Sequence, residues 1–572
     1  MDFFSLSLLF SLIFLCFCFI SIEVKERLLH AKTNHPFDSD DEYSSIGRFI
    51  RRDDLLFLLL FLVKSSKSGL GQERIMGEEG EDEMMKNHTQ DVPKMSPMDE
   101  SLARASLTSG VHPPHAGAID YPLVAFFQMK SVPSDEHVQG ILNKLAKFPR
   151  FRCKVEPVGE GNVLGKLRWV PTEIRFQKHV TRKDDVMSTE ELDAIKNELL
   201  VKPLQTDIPL FDVFVLSSSK GRSRNNNNNR SNKSSDGDSE SSIKPVLAIR
   251  YSHAIGDGVH AVKVLEHIAC GLDGEPVKMV HWKRSKKKKE FKNAWALMLD
   301  CLYFVWVFMV GFCRAVFTAF GPADSKTVIR DEPVKWSGKR EITTSTPIAL
   351  EELKAVRAAF KCTINDVVVS CIAGAVQRYM EARDCPFTKK PSTRVRAIIP
   401  FATIPKKEME NMKKDPYTLK NLFTFVSLRL SMGPCSATER LKRTMKKTYD
   451  LKRSPEAAIT IFLNAIIGKL GSAMQKQTVY DYMSRHSMVL TNVPGPVERV
   501  RLAGIEVETV DFACANLINQ VSVLSYAGEI RLTLVTDPEV VKDAHTIAEN
   551  FLKEIKSLKI AADKVSSEAA AA

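Results

Sequence analysis

The chain alternates short apolar segments, bounded by polar or glycine-containing turns, with longer segments in which apolar residues recur at helical spacing. In the first half, strands are predicted at residues 123–129, 210–216 and 246–251, and helices at residues 136–148 and 259–270. In the second half, strands are predicted at residues 395–399, 422–430, 488–491, 521–525 and 530–535. Helices are predicted there at residues 350–360, 364–380 and 538–560, the last with Asp537 as its N-cap. Both halves mix strands and helices with few strict βαβ repeats, which predicts an α/β fold of two layered domains.

Three segments depart from this pattern. Residues 1–95 hold an apolar stretch at 3–20 and a polar, acidic stretch later, so we predict a mostly disordered N-terminal extension with an apolar segment. Residues 217–243 are rich in Ser and Asn and predict a disordered insertion. Residues 283–325 join a basic run to an apolar helix. The remaining chain divides into an N-terminal domain at 96–282, a C-terminal domain at 326–562 and a tail at 563–572.

Composition narrows the class of protein. Of the 572 residues, 44% are hydrophobic and 26% are charged, which is close to the globular average and excludes a fibrous repeat or a mostly disordered chain. The eleven cysteines are scattered without a CxxC pair. This spacing disfavours a structural zinc site and a disulfide framework, and it fits a reducing compartment.

The basic excess is uneven along the chain. With 81 Lys+Arg against 69 Asp+Glu the net charge is +12, and much of the excess lies in residues 283–289, just before the apolar residues 294–320. Lysines before an apolar, aromatic-rich helix predict a membrane-associated linker on the cytosolic side, whether the helix spans the bilayer or lies in its interface. The run lacks interleaved aromatic residues, so no nucleic-acid partner is expected.

The sequence AIRYSHAIGDG at residues 248–258 is the best candidate for chemistry. A predicted strand runs directly into His253, and a Gly-Asp-Gly turn then leads into a helix. A histidine at a strand end can accept a proton at cellular pH. The alternatives are structural: His253 as an ordinary, partly buried residue, and Asp257 as the N-cap of the helix that follows.

Several segments together resemble the plant wax ester synthase/diacylglycerol acyltransferase family. The family signature H-H-x-x-x-D-G is matched by residues 252–258 except at the first position. Further segments match in the same order and spacing as in the family. Pro209-Leu210-Phe211 resembles its P-L-W element, and Asn365-Asp366 resembles its N-D element. Thr491-Asn492-Val493-Pro494-Gly495-Pro496 resembles its C-terminal turn, and Ser525-Tyr526-Ala527-Gly528 with IRLTLVTD resembles its final strand pair. The resemblance covers residues 95–560.

This resemblance implies two chloramphenicol-acetyltransferase-like domains with the active site in a tunnel between them. It implies transfer of a fatty acyl group from acyl-CoA to a long-chain alcohol, to diacylglycerol or to both, with membrane lipids as further partners. By the same resemblance His253 is the general base, Asp257 orients the motif through an ion pair with an arginine, and Gly256 and Gly258 allow a tight turn. No metal, cofactor or covalent intermediate is expected, and the enzyme is expected at the endoplasmic reticulum or plasma membrane, its catalytic domains cytosolic.

Two of the matched elements also have structural explanations. Thr363 and Asp366 have the spacing of a capping box, which is an alternative to a role for Asn365-Asp366 near the site. Pro494-Gly495-Pro496 is in the first place a rigid turn, and only the resemblance makes it a wall of the tunnel.

One residue departs from the family pattern. Ser252 stands where the family has its first histidine, and because neighbours on a strand point to opposite faces, residues 252 and 253 cannot face the substrate equally. We expect activity to be retained. Two alternatives stay open: a non-catalytic lipid- or membrane-binding relative, and an acyltransferase for another alcohol. The phenolic-type acyltransferases carry D-F-G-W-G, from which Asp511-Phe512-Ala513-Cys514-Ala515 departs.

Overall fold

The computed structural model describes residues 92–108, 122–159, 166–218, 243–279, 294–334, 337–389, 393–467 and 472–571. The predicted N-terminal extension up to residue 91, nearly all of the 217–243 insertion and the basic run 283–289 lie outside the described residues. The helices are α1 Pro97–Thr108, α2 Asp135–Leu145, α3 Phe176–His179, α4 Thr189–Val201, α5 Gly258–Ile268, α6 Ala294–Phe320, α7 Leu350–Phe360, α8 Ile364–Glu381, α9 Lys406–Lys414, α10 Ala437–Arg453, α11 Glu456–Ile467, α12 Ser472–Ser484 and α13 His545–Ala571. The strands are β1 Leu123–Met129, β2 Cys153–Pro157, β3 Leu167–Pro171, β4 Val180–Lys183, β5 Phe211–Leu216, β6 Val246–Tyr251, β7 Ala269–Gly271, β8 Glu341–Thr344, β9 Ile348–Ala349, β10 Arg396–Ala402, β11 Phe423–Arg429, β12 Met488–Pro494, β13 Val500–Leu502, β14 Ile505–Cys514, β15 Asn519–Tyr526 and β16 Glu529–Thr536.

The first large sheet has seven strands in the order β4-β5-β6-β1-β14-β13-β7. Its strands are apolar on both faces because helices cover both. Leu192, Ile195 and Leu199 of α4 pack on one face. Val138, Ile141 and Leu142 of α2 pack on the other, together with the last residues before the turn at His253.

The second large sheet also has seven strands, in the order β11-β10-β12-β15-β16-β8, with β9 pairing with β16. Helices α7, α8 and α13 cover one face. Helix α8 is buried along almost its whole length, which explains why its apolar residues do not follow a single stripe. The other face carries a smaller cluster around Ile398, Val489, Leu517 and Ile518, to which Phe425 adds its ring.

A hairpin from the second half of the chain, β13 and β14, belongs to the first sheet. Strands β13 and β14 follow β12 of the second sheet but join the first sheet, where β14 pairs antiparallel with β1 from Leu123↔Cys514 onward. The chain then returns to the second sheet with β15. The division into residues 96–282 and 326–562 therefore describes the order of the chain but not the membership of the sheets.

The predicted helix at 538–560 begins later than expected. Asp537 is followed by a single turn, in which the amide of Val541 donates to the Asp537 carbonyl at 2.8 Å. Asp543 then adopts a left-handed backbone with φ 56°, which ends that turn, and α13 starts at His545. Asp537 Oδ1 accepts from the amide of Glu539 at 3.0 Å within that turn, and its Oδ2 pairs with Arg340 at 2.8 Å. Because α13 starts only at His545, the prediction that Asp537 caps this helix is wrong.

Helix α6 forms where the apolar linker predicts a helix. Exposed apolar side chains on it include Leu302, Trp306 and Val310. Within the described ranges, no single helix combines the length and the apolar composition of a membrane span, and the apolar part of α6 covers Val305–Ala315. The two large sheets lie in one compact unit, whereas α6 up to Arg314 belongs to another.

Candidate active site

His253 lies in the turn between β6 and α5, two residues after the last residue of the strand. The turn is closed by the amide of Ile255, which donates to the carbonyl of Ser252 at 3.0 Å. The His253 ring is half-buried and lies 5.2 Å, centroid to centroid, from the ring of Phe423 on β11. This contact places His253 where the first sheet meets the second.

The surroundings of His253 favour its neutral form. Close packing by protein atoms lowers the pKa of His253 below its ordinary value, although the charge of Asp257, the carbonyl of His253 itself and the carboxamide of Asn421 each oppose this effect. A neutral imidazole is the form that can accept a proton. The geometry therefore suits a general base, and that role of His253 stays a prediction.

Asp257 is the N-cap of α5, as the structural alternative predicts. Its Oδ1 accepts from the amides of Val259 and His260, both at 3.1 Å, and from His260 Nδ1 at 2.8 Å. Its Oδ2 accepts from the amide of Leu422 in the second half of the chain at 2.8 Å. Burial by itself would raise the pKa of Asp257, but the bonds from His260 and Leu422 outweigh it, and the pKa lies below its ordinary value.

The arginine expected beside Asp257 is replaced by His260. Among the described contacts of Asp257 the ion-pair partner is His260 and no arginine takes part. An arginine does hold the same turn by another route. Arg150, fully buried after α2, donates from Nη1 to the carbonyl of Ala254 at 2.7 Å and forms an ion pair with Asp99 at 2.7 Å. The turn is therefore fixed through its main chain as well as through Asp257.

Ser252 points away from His253 into the first domain. It is fully buried, and its hydroxyl lies 2.7 Å from the hydroxyl of Ser106 on α1 and accepts from the amide of Ala254 at 3.1 Å. Ser252 and His253 both follow the end of β6, so their directions are set by the turn and not by strand alternation. Ser252 therefore helps to hold α1 against the turn through its contact with Ser106.

The Pro209-Leu210-Phe211 element bonds to the main chain at the start of the His253 turn. The carbonyl of Leu210 accepts from the amide of Ser252 at 2.9 Å, and both Leu210 and Phe211 are fully buried. The ring of His179 stacks on that of Phe211 at 4.3 Å. These contacts fix the end of β6 and therefore the start of the His253 turn.

The Asn365-Asp366 element divides into two parts. Asp366 forms the capping box of α8 with Thr363, as predicted, and also accepts from the hydroxyl of Thr448 on α10 at 2.5 Å. Asn365 instead faces Asn492 of the 491–496 segment, whose Nδ2 donates to its Oδ1 at 3.4 Å. Asp366 is thus structural, while Asn365 joins two motif segments.

The segment at 491–496 passes from β12 toward the first domain. A Cβ at Gly495 would lie 2.3 Å from the carbonyl oxygen of Ser525, so only glycine allows this approach of β12 to β15. Pro496 and Ala527 are joined by a main-chain bond of 3.0 Å, and the amide of Val497 donates to the Lys278 carbonyl at 3.0 Å. The segment is a rigid turn that also contacts the first half of the chain.

Gly256 and Gly258 differ in how much space their surroundings leave for a side chain. Neither Gly256 nor Gly258 has a left-handed backbone. A Cβ at Gly256 would approach the Cβ of His260 to 3.1 Å, which is tighter than ordinary packing. A Cβ at Gly258 would meet Val493 at 3.9 Å, an ordinary contact, which places the 491–496 segment directly over the start of α5.

Three residues of the site were not found from the sequence. Asp99, Arg150 and Asn421 form a buried cluster around the main chain of the His253 turn, in which Asn421 Nδ2 donates to Asp99 Oδ1 at 2.9 Å. They are separated by tens to hundreds of positions in the chain and lie in segments without a recognisable pattern. Only the packing of the first sheet against the second brings them together.

Metal-binding groups are absent from the part of the chain that the structure describes: no three His, Cys, Asp or Glu residues lie close enough to hold an ion. The tunnel between the domains and the absence of a cofactor stay predictions.

Comparison with known proteins shows which family this chain resembles. Residues 419–559 match the family described as the WS/DGAT C-terminal domain. The chain is 22% identical over 489 residues to wax ester synthase/diacylglycerol acyltransferase 5 of Arabidopsis thaliana, covering 78% of this chain and 91% of that protein. It is also 22% identical over 451 residues to wax ester synthase/diacylglycerol acyltransferase 2 of the same plant, covering 75% and 89%.

Among solved structures, the wax ester synthase/diacylglycerol acyltransferase from Marinobacter aquaeolei VT8 is similar with a TM-score of 0.50 and 15% identity, over 82% of this chain and all of that one. This likeness shows the fold, which is α/β with two chloramphenicol-acetyltransferase-like domains, as predicted. The family match, the relatives and the order of the motifs together show that this chain is similar to the wax ester synthase/diacylglycerol acyltransferase family.

Proposed function

We propose that this protein transfers a fatty acyl group from acyl-CoA to the hydroxyl of a long-chain alcohol, of diacylglycerol or of both. The observation that carries the proposal is the position of His253, half-buried where the two sheets meet and held neutral by its surroundings. The names of the relatives point to the same two acceptor classes.

His253 acts as the general base during the attack and returns the proton when CoA leaves. The acceptor hydroxyl oxygen forms a bond to the thioester carbonyl carbon while its proton passes to the imidazole. The C–S bond then breaks, and the imidazolium returns the proton to the CoA thiolate. The pKa of an alcohol lies roughly nine to ten units above that of histidine, so full deprotonation before attack would cost roughly 13 kcal/mol at about 1.36 kcal/mol per unit. The proton therefore moves during the attack, and such assistance contributes about 10²–10⁴-fold.

Aromatic side chains beside His253 suit an acyl or alkyl chain. Phe423 and Phe425 are two residues apart on β11 and so share one face, with ring centroids 5.3 Å apart. Tyr482 of α12 continues the row at 6.4 Å from Phe425. All three are partly exposed, and they lead away from His253 along the second sheet. An apolar row that starts at the base favours a lipid acceptor over a soluble alcohol.

The exposed face of α6 supports attachment to a membrane. Trp306 is 67% exposed and Leu302 60%, and the lysine run 283–289 precedes this helix in the sequence. An apolar helix beside basic residues binds anionic membranes in the interface. The proposed location is the cytosolic side of the endoplasmic reticulum or plasma membrane, where both proposed lipid acceptors are accessible.

The activity is tested with the purified full chain, labelled palmitoyl-CoA and either hexadecanol or diacylglycerol in vesicles. Wild type should form labelled ester with at least one acceptor. His253→Ala should lose nearly all of it, while His545→Ala, which removes an exposed histidine of α13, should not. Full activity of His253→Ala would refute the general base. No ester with either acceptor would favour the non-catalytic, lipid-binding alternative.

Membrane attachment has a separate test. Replacing Leu302 and Trp306 by Ser should reduce sedimentation with anionic vesicles, since both side chains are exposed and apolar. The matched control replaces Tyr449 by Ser, because this large side chain on α10 is 58% exposed. Equal sedimentation of the α6 variant and wild type would exclude α6 as the attachment site.

A further inference from the structure

Asn421 reaches from the second half of the chain into the turn that carries His253. It lies two residues before β11 and is almost fully buried. Its Nδ2 donates to the main-chain carbonyl of His253 at 3.0 Å, to that of Ala254 at 3.2 Å and to Asp99 Oδ1 at 2.9 Å. No other described side chain bonds to the His253 carbonyl.

These three acceptors determine the orientation of the carboxamide. A carbonyl or carboxylate oxygen needs a donor, so the nitrogen of Asn421 must face them and its Oδ1 must face the opposite side. That Oδ1 is buried and has no hydrogen-bond partner among the described residues. The Nδ1 of His253 is buried and unpartnered in the same sense. Leaving a buried polar atom without a hydrogen-bond partner costs free energy. Here the unpartnered acceptor is Asn421 Oδ1 and the potential donor is His253 Nδ1, and the two residues are already joined by the bond from Asn421 Nδ2 to the His253 carbonyl.

We propose that Asn421 is the positioning residue of His253, accepting the Nδ1–H of the imidazole on its Oδ1 so that Nε2 is left bare to take the acceptor proton. The inference rests on the proposed function. The two atoms are not joined by a hydrogen bond here, and catalytic hydrogen bonds often tighten only when substrate is bound. A base oriented by a third group is the general arrangement for nucleophile activation.

The electrostatics of the site agree with this role. Burial lowers the pKa of His253, and the charge of Asp257, the carbonyl of His253 itself and the Asn421 carboxamide each raise it by favouring the protonated imidazole. The charged groups around the turn are Asp257 on the α5 side, with His260 as its partner, and the Asp99–Arg150 pair behind Asn421. Asn421 is thus a neutral group bonded to the main chain of His253, with Asp257 and the Asp99–Arg150 pair as the charged groups around it.

The test compares Asn421→Leu with Asn519→Leu, using full-length protein. Asn519 is a matched control, since its Nδ2 also donates to two main-chain carbonyls, those of Ile329 at 2.8 Å and Ser487 at 3.2 Å, but away from His253. Asn421→Leu should lower kcat about 10–100-fold with little change in KM for acyl-CoA. Its acid limb should also move to lower pH, because the group that favours protonated His253 is gone. Asn519→Leu should leave both kcat and the pH profile unchanged.

A measurement on the wild-type protein keeps the inference testable if Asn421→Leu does not fold. Nitrogen-15 NMR of labelled histidine, with His253 assigned by its absence in His253→Ala, should show Nδ1 protonated and Nε2 bare at pH 8. A proton on Nε2, or an unchanged pH profile in Asn421→Leu, would overturn the assignment. The tautomer of His253 can be measured without turnover. An inactive wild-type protein would therefore refute the proposed function, while the tautomer would still test the role of Asn421.

Discussion

The amide of Leu422 donates a 2.8 Å hydrogen bond to Oδ2 of Asp257, and this bond ties the turn after β6 to the segment that leads into β11. The other oxygen of the same carboxylate caps α5 and pairs with His260. One buried side chain therefore fixes the start of a helix and the approach of the second sheet to His253. The motif aspartate thus joins two parts of the chain.

Replacing Asp257 by Ala should destabilise the protein by about 2–4 kcal/mol, because it removes an N-cap and leaves the Leu422 amide and His260 without their acceptor. Asp257→Asn should cost less, since its carboxamide oxygen can still accept from the α5 amides. Urea denaturation of the three proteins measures this order. Equal stability of Asp257→Ala and wild type would show that the link is not formed.

Asp257→Asn also has a signature in the pH profile. The negative charge of Asp257 raises the pKa of His253, so removing it should lower that pKa further. The wild-type rate should fall on acidification with an apparent pKa below about 6.5, the ordinary value for histidine. In Asp257→Asn this acid limb should lie at still lower pH. A shift to higher pH would contradict the electrostatic role.

Ser252 should tolerate loss of its hydroxyl better than gain of a ring. Ser252→Ala loses the contact with Ser106 and the bond to the Ala254 amide, which should cost about 1–2 kcal/mol of stability with only a mild fall in rate. Ser252→His places an imidazole in a fully buried site and should cost about 1–3 kcal/mol through overpacking. Thermal unfolding and acyl transfer by both variants check this order. A more stable and more active Ser252→His would show that the site accommodates the family residue.

Gly495→Ala should disturb the segment that covers the start of α5. The new Cβ would lie 2.3 Å from the Ser525 carbonyl oxygen, a main-chain atom, so the strand must shift at a cost of about 1–3 kcal/mol. Activity should fall because this segment lies over Gly258. Gly140→Ala in α2 is the control, since nothing lies within 4 Å of its added Cβ, and it should be neutral or stabilising by up to about 1 kcal/mol. Equal effects of the two substitutions would disprove the close approach.

Acid sensitivity of stability should depend on His486. Burial lowers the pKa of His486 to about 3, the charge of Arg396 adds to this effect, and the carbonyl of Tyr482 opposes it. The unfolded chain binds a proton at this residue near pH 6.5 and the folded chain only near pH 3. Stability is therefore fully retained above about pH 6.5 and falls toward pH 3, by up to about 1.4 kcal/mol per pH unit.

The variant His486→Gln should lose this part of the pH dependence. The difference in unfolding free energy between pH 6 and pH 4 should shrink by about 2–3 kcal/mol relative to wild type. His545→Gln, at an exposed position on α13, should keep the wild-type dependence. An unchanged slope in His486→Gln would mean that the folded protein takes up the proton without cost.

Local pattern was sufficient for about half of the helices and strands of the fold. Strands β1 and β6 have the predicted bounds, and α7 does as well. These segments are decided by side-chain alternation or helical spacing over a few residues. The start of α13 was not predictable in this way, because the chain first turns at Asp543, whose backbone is left-handed with φ 56°.

The sequence by itself determined that His253 follows a strand, that Asp257 is placed to cap the next helix, and that Pro494-Gly495-Pro496 forms a turn. Each of these depends on neighbours in the chain. Tertiary structure decided that His260 and Leu422, not an arginine, hold Asp257, and that Asn421 lies against the His253 turn. It also decided that β13 and β14 cross to the first sheet. These contacts join residues far apart in the chain, and their partners are selected by burial and by the need to satisfy buried polar groups, which no local pattern encodes.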